Sequence, residues 1–500
     1  MMSNTFWILF TFMIYFALLL VLGYVGGRSL VGLKAKDYVD QFYTAGRGLG
    51  SSLVAMLLAA GLVSAGTFVG TPGLAYQKGL VWVVLTNWQN FMNLMILGVV
   101  GKKIGIIARR IDARSYLDIF GARYEDNRAV LILSGLSLLI FLIPYASIQF
   151  VGGARLFEGL LGINYYEALA LIGVAVIAYT AFGGIKGTVL AAFVQGIVMT
   201  IAAIILFVTV VIKLGGFTTA MHAVETVNPQ LTDPTGVGGI ATPRWLASFA
   251  VLFGFAILGL PHGVMPALIY KSSKAMLKAL VIGAVVVTIW TVFMATTGTL
   301  AQAVNPDLKI PDKAIPTMMT WALGPVLRGI VLTGVVAALQ STVAAMVMLI
   351  SGSLVMDIYA KVFKPQATFE SLRPMARWVT LAIGVAAFCL AIFPPPALEW
   401  IVYFAVAGLE SSLFLPLLFG LYWKRANTPG ALAGMVGGLA GYILIAGYLK
   451  KLAFGMHPVI MGILISFICF MVVTYLTPPP SRRILQLYWG KERPREMPAL

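Results

Sequence analysis

Cysteine, histidine and charge are all scarce in this chain, and each scarcity closes off a class of function. Its two cysteines, Cys389 and Cys469, both lie inside apolar runs. That excludes a disulfide framework or a thiolate zinc site and leaves them as small core hydrophobes. The three histidines, His222, His262 and His457, are too scattered for metal-ligand spacing, and no nucleophile–base pattern accompanies them. No enzymatic activity and no cofactor are therefore expected. Charged residues make up 11% of the chain, against about 25% in a soluble domain. A nucleotide-driven engine is missing as well. The nearest approach to a phosphate-binding loop, Gly98, Gly101, Lys102 and Lys103, lacks the Ser/Thr and the preceding strand.

Hydrophobic residues fill 60% of the 500 positions. They fall into about thirteen runs of spanning length, near residues 6–26, 50–76, 79–100, 129–153, 165–182, 187–212, 245–268, 279–302, 321–350, 376–393, 398–421, 429–449 and 457–477. An all-α polytopic membrane protein is expected, with the lipid bilayer as its solvent. The first run lacks a basic leader and a small-residue cleavage site, so it reads as a retained span. The net charge of +17 does not point to nucleic acid, because most Lys and Arg fall in alternate loops. Lys102, Lys103, Arg109, Arg110, Arg114, Lys271, Lys274, Lys278, Lys424 and Arg425 share one side. By the positive-inside bias that side is cytoplasmic, which places the N-terminus outside and the C-terminus inside. The basic tail, with Arg482, Arg483, Lys491, Arg493 and Arg495, is expected against anionic lipid.

Two spans interrupt themselves. The run 50–76 carries Gly61, Ser64, Gly66, Thr67, Gly70, Thr71, Pro72 and Gly73. The run 245–268 carries Gly254, Gly259, Pro261, Gly263 and Pro266. In lipid each unpaired backbone group costs several kcal/mol, so such breaks survive only where they line a cavity or bind an ion. The two breaks lie five spans apart, and an odd number of spans inverts the second half, so they mark an inverted repeat. The expected divisions are a flanking helix and inner loop at 1–49, a first repeat at 50–212 and an outer loop at 213–244. A second repeat at 245–421, two flanking helices at 422–477 and a basic tail at 478–500 follow. The Pro- and Asp-rich outer segments 213–244 and 303–320 read as caps or gates.

The first break suggests the ion. Freed carbonyls of Ala60 and Val63, the carbonyl of Ala338, and the hydroxyls of Ser341 and Thr342 would supply five neutral, hard oxygens. Such a set suits a monovalent cation that must also leave. The competing reading is that the two hydroxyls merely bond back to the i−4 carbonyl.

These residues sit in a longer resemblance. Tyr179-Thr180-Ala181-Phe182-Gly183-Gly184, Gln149-Phe150-Val151-Gly152-Gly153-Ala154-Arg155-Leu156 and Gly259-Leu260-Pro261-His262 are the first matching stretches. Ala407-Gly408-Leu409-Glu410 and the long Gly420-Leu421-Tyr422-Trp423-Lys424-Arg425-Ala426-Asn427-Thr428-Pro429-Gly430-Ala431 are the last. Over nearly its full length the chain resembles the sodium/solute symporter family, and most of all its pantothenate-transporting bacterial members. The resemblance implies the leucine-transporter-like fold, with two inverted five-helix repeats and flanking helices. It implies sodium as the coupling ion, with family carbonyl positions falling on Ala60, Val63 and Ala338 and the hydroxyl pair on Ser341 and Thr342. Ser64 matches a hydroxyl common in the family. There are departures: Ala192 stands where many relatives carry an Asp, Leu62 where proline-transporting relatives carry one, and Pro266 where the pantothenate relative has an Arg. The first of these argues against a second sodium.

Intramembrane polar groups are the default candidates for substrate contact. Here they are Ser64, Thr67, Gln89, Asn90, Asn93, Gln149, His262 and Glu410. Arg155 and Glu158 read instead as an i,i+3 ion pair. The expected function is sodium-coupled import of a small organic anion, pantothenate first, across a bacterial inner membrane by alternating access. Another monocarboxylate or an amino acid, coupled to sodium or protons, is the first alternative. A channel or a transport-like sensor is the alternative from another class. A channel would want a continuous polar lining, and a sensor an appended signalling domain, and the sequence offers neither.

Overall fold

The computed structural model describes residues 2–28, 47–395 and 397–490. Among them the structure is helical, with a single bridge between Leu49 and Tyr270 in place of any strand. The expected inner loop at 29–46 and the tail residues Lys491, Arg493 and Arg495 lie outside the described residues. Of 174–188, which contains the stretch 179–184, only the backbone is described.

The first helix, α1 (Met2–Arg28), is followed by the first broken span, α2 (Ser51–Leu62) and α3 (Gly66–Lys78), which meet at 66°. Next come α4 (Leu80–Ile111), the short α5 (Tyr116–Arg123), α6 (Arg128–Leu161) and α7 (Tyr165–Lys213). A surface helix, α8 (Phe217–Val227), leads to the second broken span, α9 (Pro243–Gly259) and α10 (Pro261–Ile269), bent by 67°. The second half continues through α11 (Ser273–Leu300), α12 (Ala314–Ala322), α13 (Pro325–Phe363), α14 (Phe369–Leu390) and α15 (Glu399–Tyr422). Two further spans, α16 (Thr428–Gly447) and α17 (Val459–Leu476), and the surface helix α18 (Arg482–Trp489) complete it. Among the described residues ten helices are long and apolar enough to cross a membrane, and the two bent pairs make twelve.

The runs 165–182 and 187–212 differ from expectation in one respect, since helical backbone continues through both as α7. Its 49 residues amount to about 73 Å of helix, more than two hydrocarbon thicknesses. Both ends nevertheless reach the same face. Arg155 lies 4.9 Å over the Tyr165 ring and Glu158 bonds Lys313 at 3.0 Å, while Lys213 donates to the Trp321 carbonyl at 2.5 Å. Lys313 immediately precedes the short helix α12 and Trp321 lies in its last turn, so the segment crosses and returns.

Local chemistry explains most of the boundaries. Asn164 and Glu167 cap α7 reciprocally, as Ser115 and Asp118 cap α5. Asp112 takes the left-handed conformation that ends α4 (φ 51°). On the basic face the buried Arg123 gathers carbonyls from the end of α15 and the loop that follows it. Its Nε donates to Gly420 O at 2.6 Å and its Nη2 to Ala426 O at 2.7 Å. Helix α18 docks beside it, through Tyr488 Oη to Ile119 O at 2.7 Å and Lys103 Nζ to Tyr488 O at 2.9 Å.

Candidate ion and substrate site

The first break is built by α6 as much as by its own glycines. Val63 turns extended (φ −92°, ψ 124°) and ends α2. The Ala65 amide, which in an unbroken helix would bond Gly61, instead donates to Gln149 Oε1 at 2.8 Å. The Gly66 amide donates to Ser64 Oγ at 3.1 Å, and Tyr145 Oη donates to the same oxygen at 3.4 Å. Gln149 is held in turn by its own Nε2 donating to Tyr145 O at 3.2 Å. The break is thus satisfied by side chains, as lipid requires.

Against it packs the middle of α13. Ser341 Oγ lies 3.0 Å from both Ala60 O and Ala338 O. Thr342 Oγ1 lies 3.0 Å from Val63 O, 2.9 Å from Ala338 O and 3.5 Å from Ala60 O. Both side chains are buried. Five oxygens therefore converge with only two hydroxyl protons among them. Such a cluster has a surplus of lone pairs, the feature a hard cation would use. The spacing also fits. Around a hard ion with ligands at about 2.3–2.6 Å, octahedral neighbours stand about 3.3–3.7 Å apart, and sodium is close to calcium in size. A small expansion from 2.9–3.5 Å admits it. The back-bonding of both hydroxyls to Ala338 O is present as well, as the competing reading expects.

Beneath this cluster a cavity of about 500 Å³ runs to the basic face. Gly61, His262 and Ala345 line its inner part, and Asp118, Asp357 and Lys361 its mouth. Lys361 bonds Asp118 and stands 3.5 Å from Asp357. Burial works against the charge on Asp118, but Lys361 and the amides of Arg114 and Ser115 hold its carboxyl below the ordinary range.

The sequence candidates divide by position. Ser64, Gln149 and His262 surround the break, with Tyr145 between them: its hydroxyl reaches Ser64 and its ring meets His262 edge-on at 5.9 Å. Both ring nitrogens of His262 lack a protein partner. Thr67 donates to Gln89 Oε1 at 3.3 Å and joins α3 to α4. Three candidates are not brought to this site. Asn90 bonds Asn87 on a half-buried part of α4. Asn93 is buried against Gly283 of α11, where a Cβ would meet its Oδ1 at 3.0 Å. Glu410 is fully buried behind Gly259 and takes no part in the cavity wall. Helix rotation and the packing partners of α4 and α15 decide this, and neither is written in local sequence. Arg155 pairs with Glu158 at 3.0 Å.

Two acids escaped the sequence reading. Glu399 looks like a boundary residue and Asp312 like a solvated loop residue, yet each is 1% exposed. Glu399 Oε1 accepts from Thr71 Oγ1 at 3.1 Å, and Asp312 Oδ2 accepts from the Leu398 amide at 3.2 Å. Only the Pro just before Asp312 hinted at a fixed turn.

Two spans broken at corresponding places in inverted halves, with a neutral oxygen shell between a break and its neighbour, define a cation-coupled secondary transporter. The chain belongs to the sodium:solute symporter family, whose model matches residues 42–438. It is 37% identical to the sodium/pantothenate symporter of Escherichia coli (strain K12) over 90% of this chain and 93% of that one. The sodium/pantothenate symporter of Haemophilus influenzae is 34% identical, over 91% and 94%. The osmoregulated proline transporter OpuE of Bacillus subtilis is 28% identical, over 96% and 97%. The fold matches a Na+-coupled sialic acid symporter solved in a substrate-bound outward-open state, with a TM-score of 0.79 at 20% identity over 95% of this chain and 98% of that one.

Proposed function

We propose that this chain imports a small organic anion, pantothenate, together with one sodium ion, by alternating access. The observation that carries the sodium assignment is the convergence of Ala60, Val63 and Ala338 carbonyls on the Ser341 and Thr342 hydroxyls. The substrate assignment draws on the identity with the two pantothenate symporters over most of the chain. The basic face is cytoplasmic, so the N-terminus is outside and the C-terminus inside, and the described cavity is the exit. Sodium bound between the α2 carbonyls and the α13 hydroxyls bridges the two helices at the break. That fixes Ser64 and Tyr145 beside the substrate, and His262, whose two ring nitrogens have no protein partner, supplies hydrogen bonds to its polar groups while Gln149 holds the break. Thr67 and Gln89 close the same pocket from α3 and α4. Release from a site of neutral oxygens needs no proton and little rearrangement.

Uptake of radiolabelled pantothenate into proteoliposomes, with a sodium or a choline gradient, tests this. Uptake that ignores sodium and follows pH overturns the ion assignment. Proline uptake that pantothenate does not inhibit would transfer the substrate assignment to the chemistry of the 28% relatives.

A further inference from the structure

On the face opposite the basic one, a turn at Pro311–Lys313 plugs the space between α3, α6 and α15. Its backbone packs so closely on α3 that a Cβ at Gly73 would stand 3.0 Å from Pro311 O. Lys313 is tied to Glu158 of α6 at 3.0 Å. Asp312 bonds the Leu398 amide through Oδ2, and its Oδ1 has no partner. The next residue along, Glu399, bonds Thr71 through Oε1, and its Oε2 makes no close hydrogen bond, with the Tyr403 hydroxyl beside the carboxyl. That oxygen is admitted by missing side chains, since a Cβ at Gly66 or Gly70 would lie 2.8 or 2.5 Å from it. Two buried carboxyls, each with one oxygen that makes no close hydrogen bond, therefore face the junction of plug, broken helix and α15.

We propose that Asp312 and Glu399 form a proton-binding site that is loaded when the outer face is shut and empties when it opens. A buried ionised carboxylate must be paired or neutralised. The charged and titratable groups around the pair are Arg155, Glu158 and Lys313 beside the plug, Tyr145 from α6 and Tyr403 one turn along α15, with the neutral Thr71 hydroxyl of α3 bonded to Glu399. Arg155 and Lys313 are already bonded to Glu158, which leaves a proton as the ligand for the carboxyls. Burial, against the Leu398 hydrogen bond and Arg155, pushes Asp312 up to about 7, whereas a hydrated Asp titrates near 3.9. The shut state thus holds the proton across roughly pH 4–7. Opening becomes easier as external pH rises through that window and is constant above it. The sodium cluster has no group that titrates there, so this dependence is separate from ion coupling.

The inference rests on the orientation proposed above. The test avoids substrate altogether. A cysteine replaces Leu398, whose side chain seals against Gly70, in a chain with Cys389→Ser and Cys469→Ser. It is labelled from outside with an impermeant thiol reagent between pH 5.5 and 8. Each rate is divided by that of the same chain carrying Asp312→Asn, which cancels the pH dependence of the thiol. The ratio is expected to rise about tenfold or more up to pH 7 and then level. A ratio that is flat with pH overturns the proposal. Asp312→Glu restores a titrating group and is expected to restore the slope. If Asp312→Asn fails to fold, Glu399→Gln serves as the reference with the same expected rise. Labelling that comes only from the basic face refutes the orientation, and the outer proton site with it.

Discussion

Thr342→Ala removes one of the five oxygens that converge on the first break. Its hydroxyl contacts three carbonyls, those of Ala338, Val63 and Ala60, at 2.9, 3.0 and 3.5 Å. Ser341 contacts two, both at 3.0 Å, so Thr342 is the more central of the two hydroxyls. Hydrogen bonds to charged groups are worth about 1.5–3 kcal/mol, and an ion–hydroxyl contact in a buried site belongs with them. At 1.4 kcal/mol per decade, the sodium half-saturation rises roughly 10- to 150-fold. The maximal rate recovers at high sodium, because a ligand is lost and not the conformational change. Thr342→Ser keeps the oxygen and is expected to stay within about threefold of the parent. The assay is sodium-titrated pantothenate uptake in proteoliposomes. It is paired with thermal stability in detergent at increasing sodium, where ligand linkage shifts the midpoint without any substrate. A change of less than about threefold in both readouts for Thr342→Ala refutes the ion shell. Equal damage from Thr342→Ser refutes it too, because the methyl and not the oxygen would then matter.

Three further outcomes are expected. Gln149→Ala strips the partner from the buried Ala65 amide and should cost about 1–3 kcal/mol, seen as a lower melting temperature with or without sodium; an unchanged midpoint would show that the break needs no clasp from α6. Gly259→Ala drives a methyl to 2.7 Å from Glu410 Cα and 3.1 Å from Phe414 N, an overpacking worth about 1–3 kcal/mol; normal expression and melting would mean that α9 and α15 slide apart freely. One sodium carried with one monovalent anion moves no net charge, so a potassium–valinomycin potential should leave initial uptake unchanged; stimulation by an inside-negative potential would require a second cation.

Much of this architecture could be read from residues alone, because lipid enforces a simple rule. Every backbone group must be paired within its span, so spans appear as apolar runs, and a run carrying Gly61, Ser64, Gly66 and Pro72 declares a break that something else must satisfy. The pairing of that break with Ser341 and Thr342 was legible for the same reason, since freed carbonyls and hydroxyls in an otherwise apolar setting call for a cation. The clasp by Gln149 was not legible in that form. It looked like one more polar residue on a helix, and only its distance to the Ala65 amide shows what it does.

Sequence by itself settled the membrane setting and the two breaks, which follow from the local cost of polar groups in hydrocarbon. The class was marked by the matching stretches, and the five oxygens named from sequence do converge. Tertiary structure alone decided which candidates meet. It turned Asn93 towards Gly283, set Glu410 behind Gly259, and buried Asp312 and Glu399 together at a glycine-lined seam. Helix rotation and crossing are fixed by distant partners, so no stretch of sequence shorter than the whole bundle contains that information.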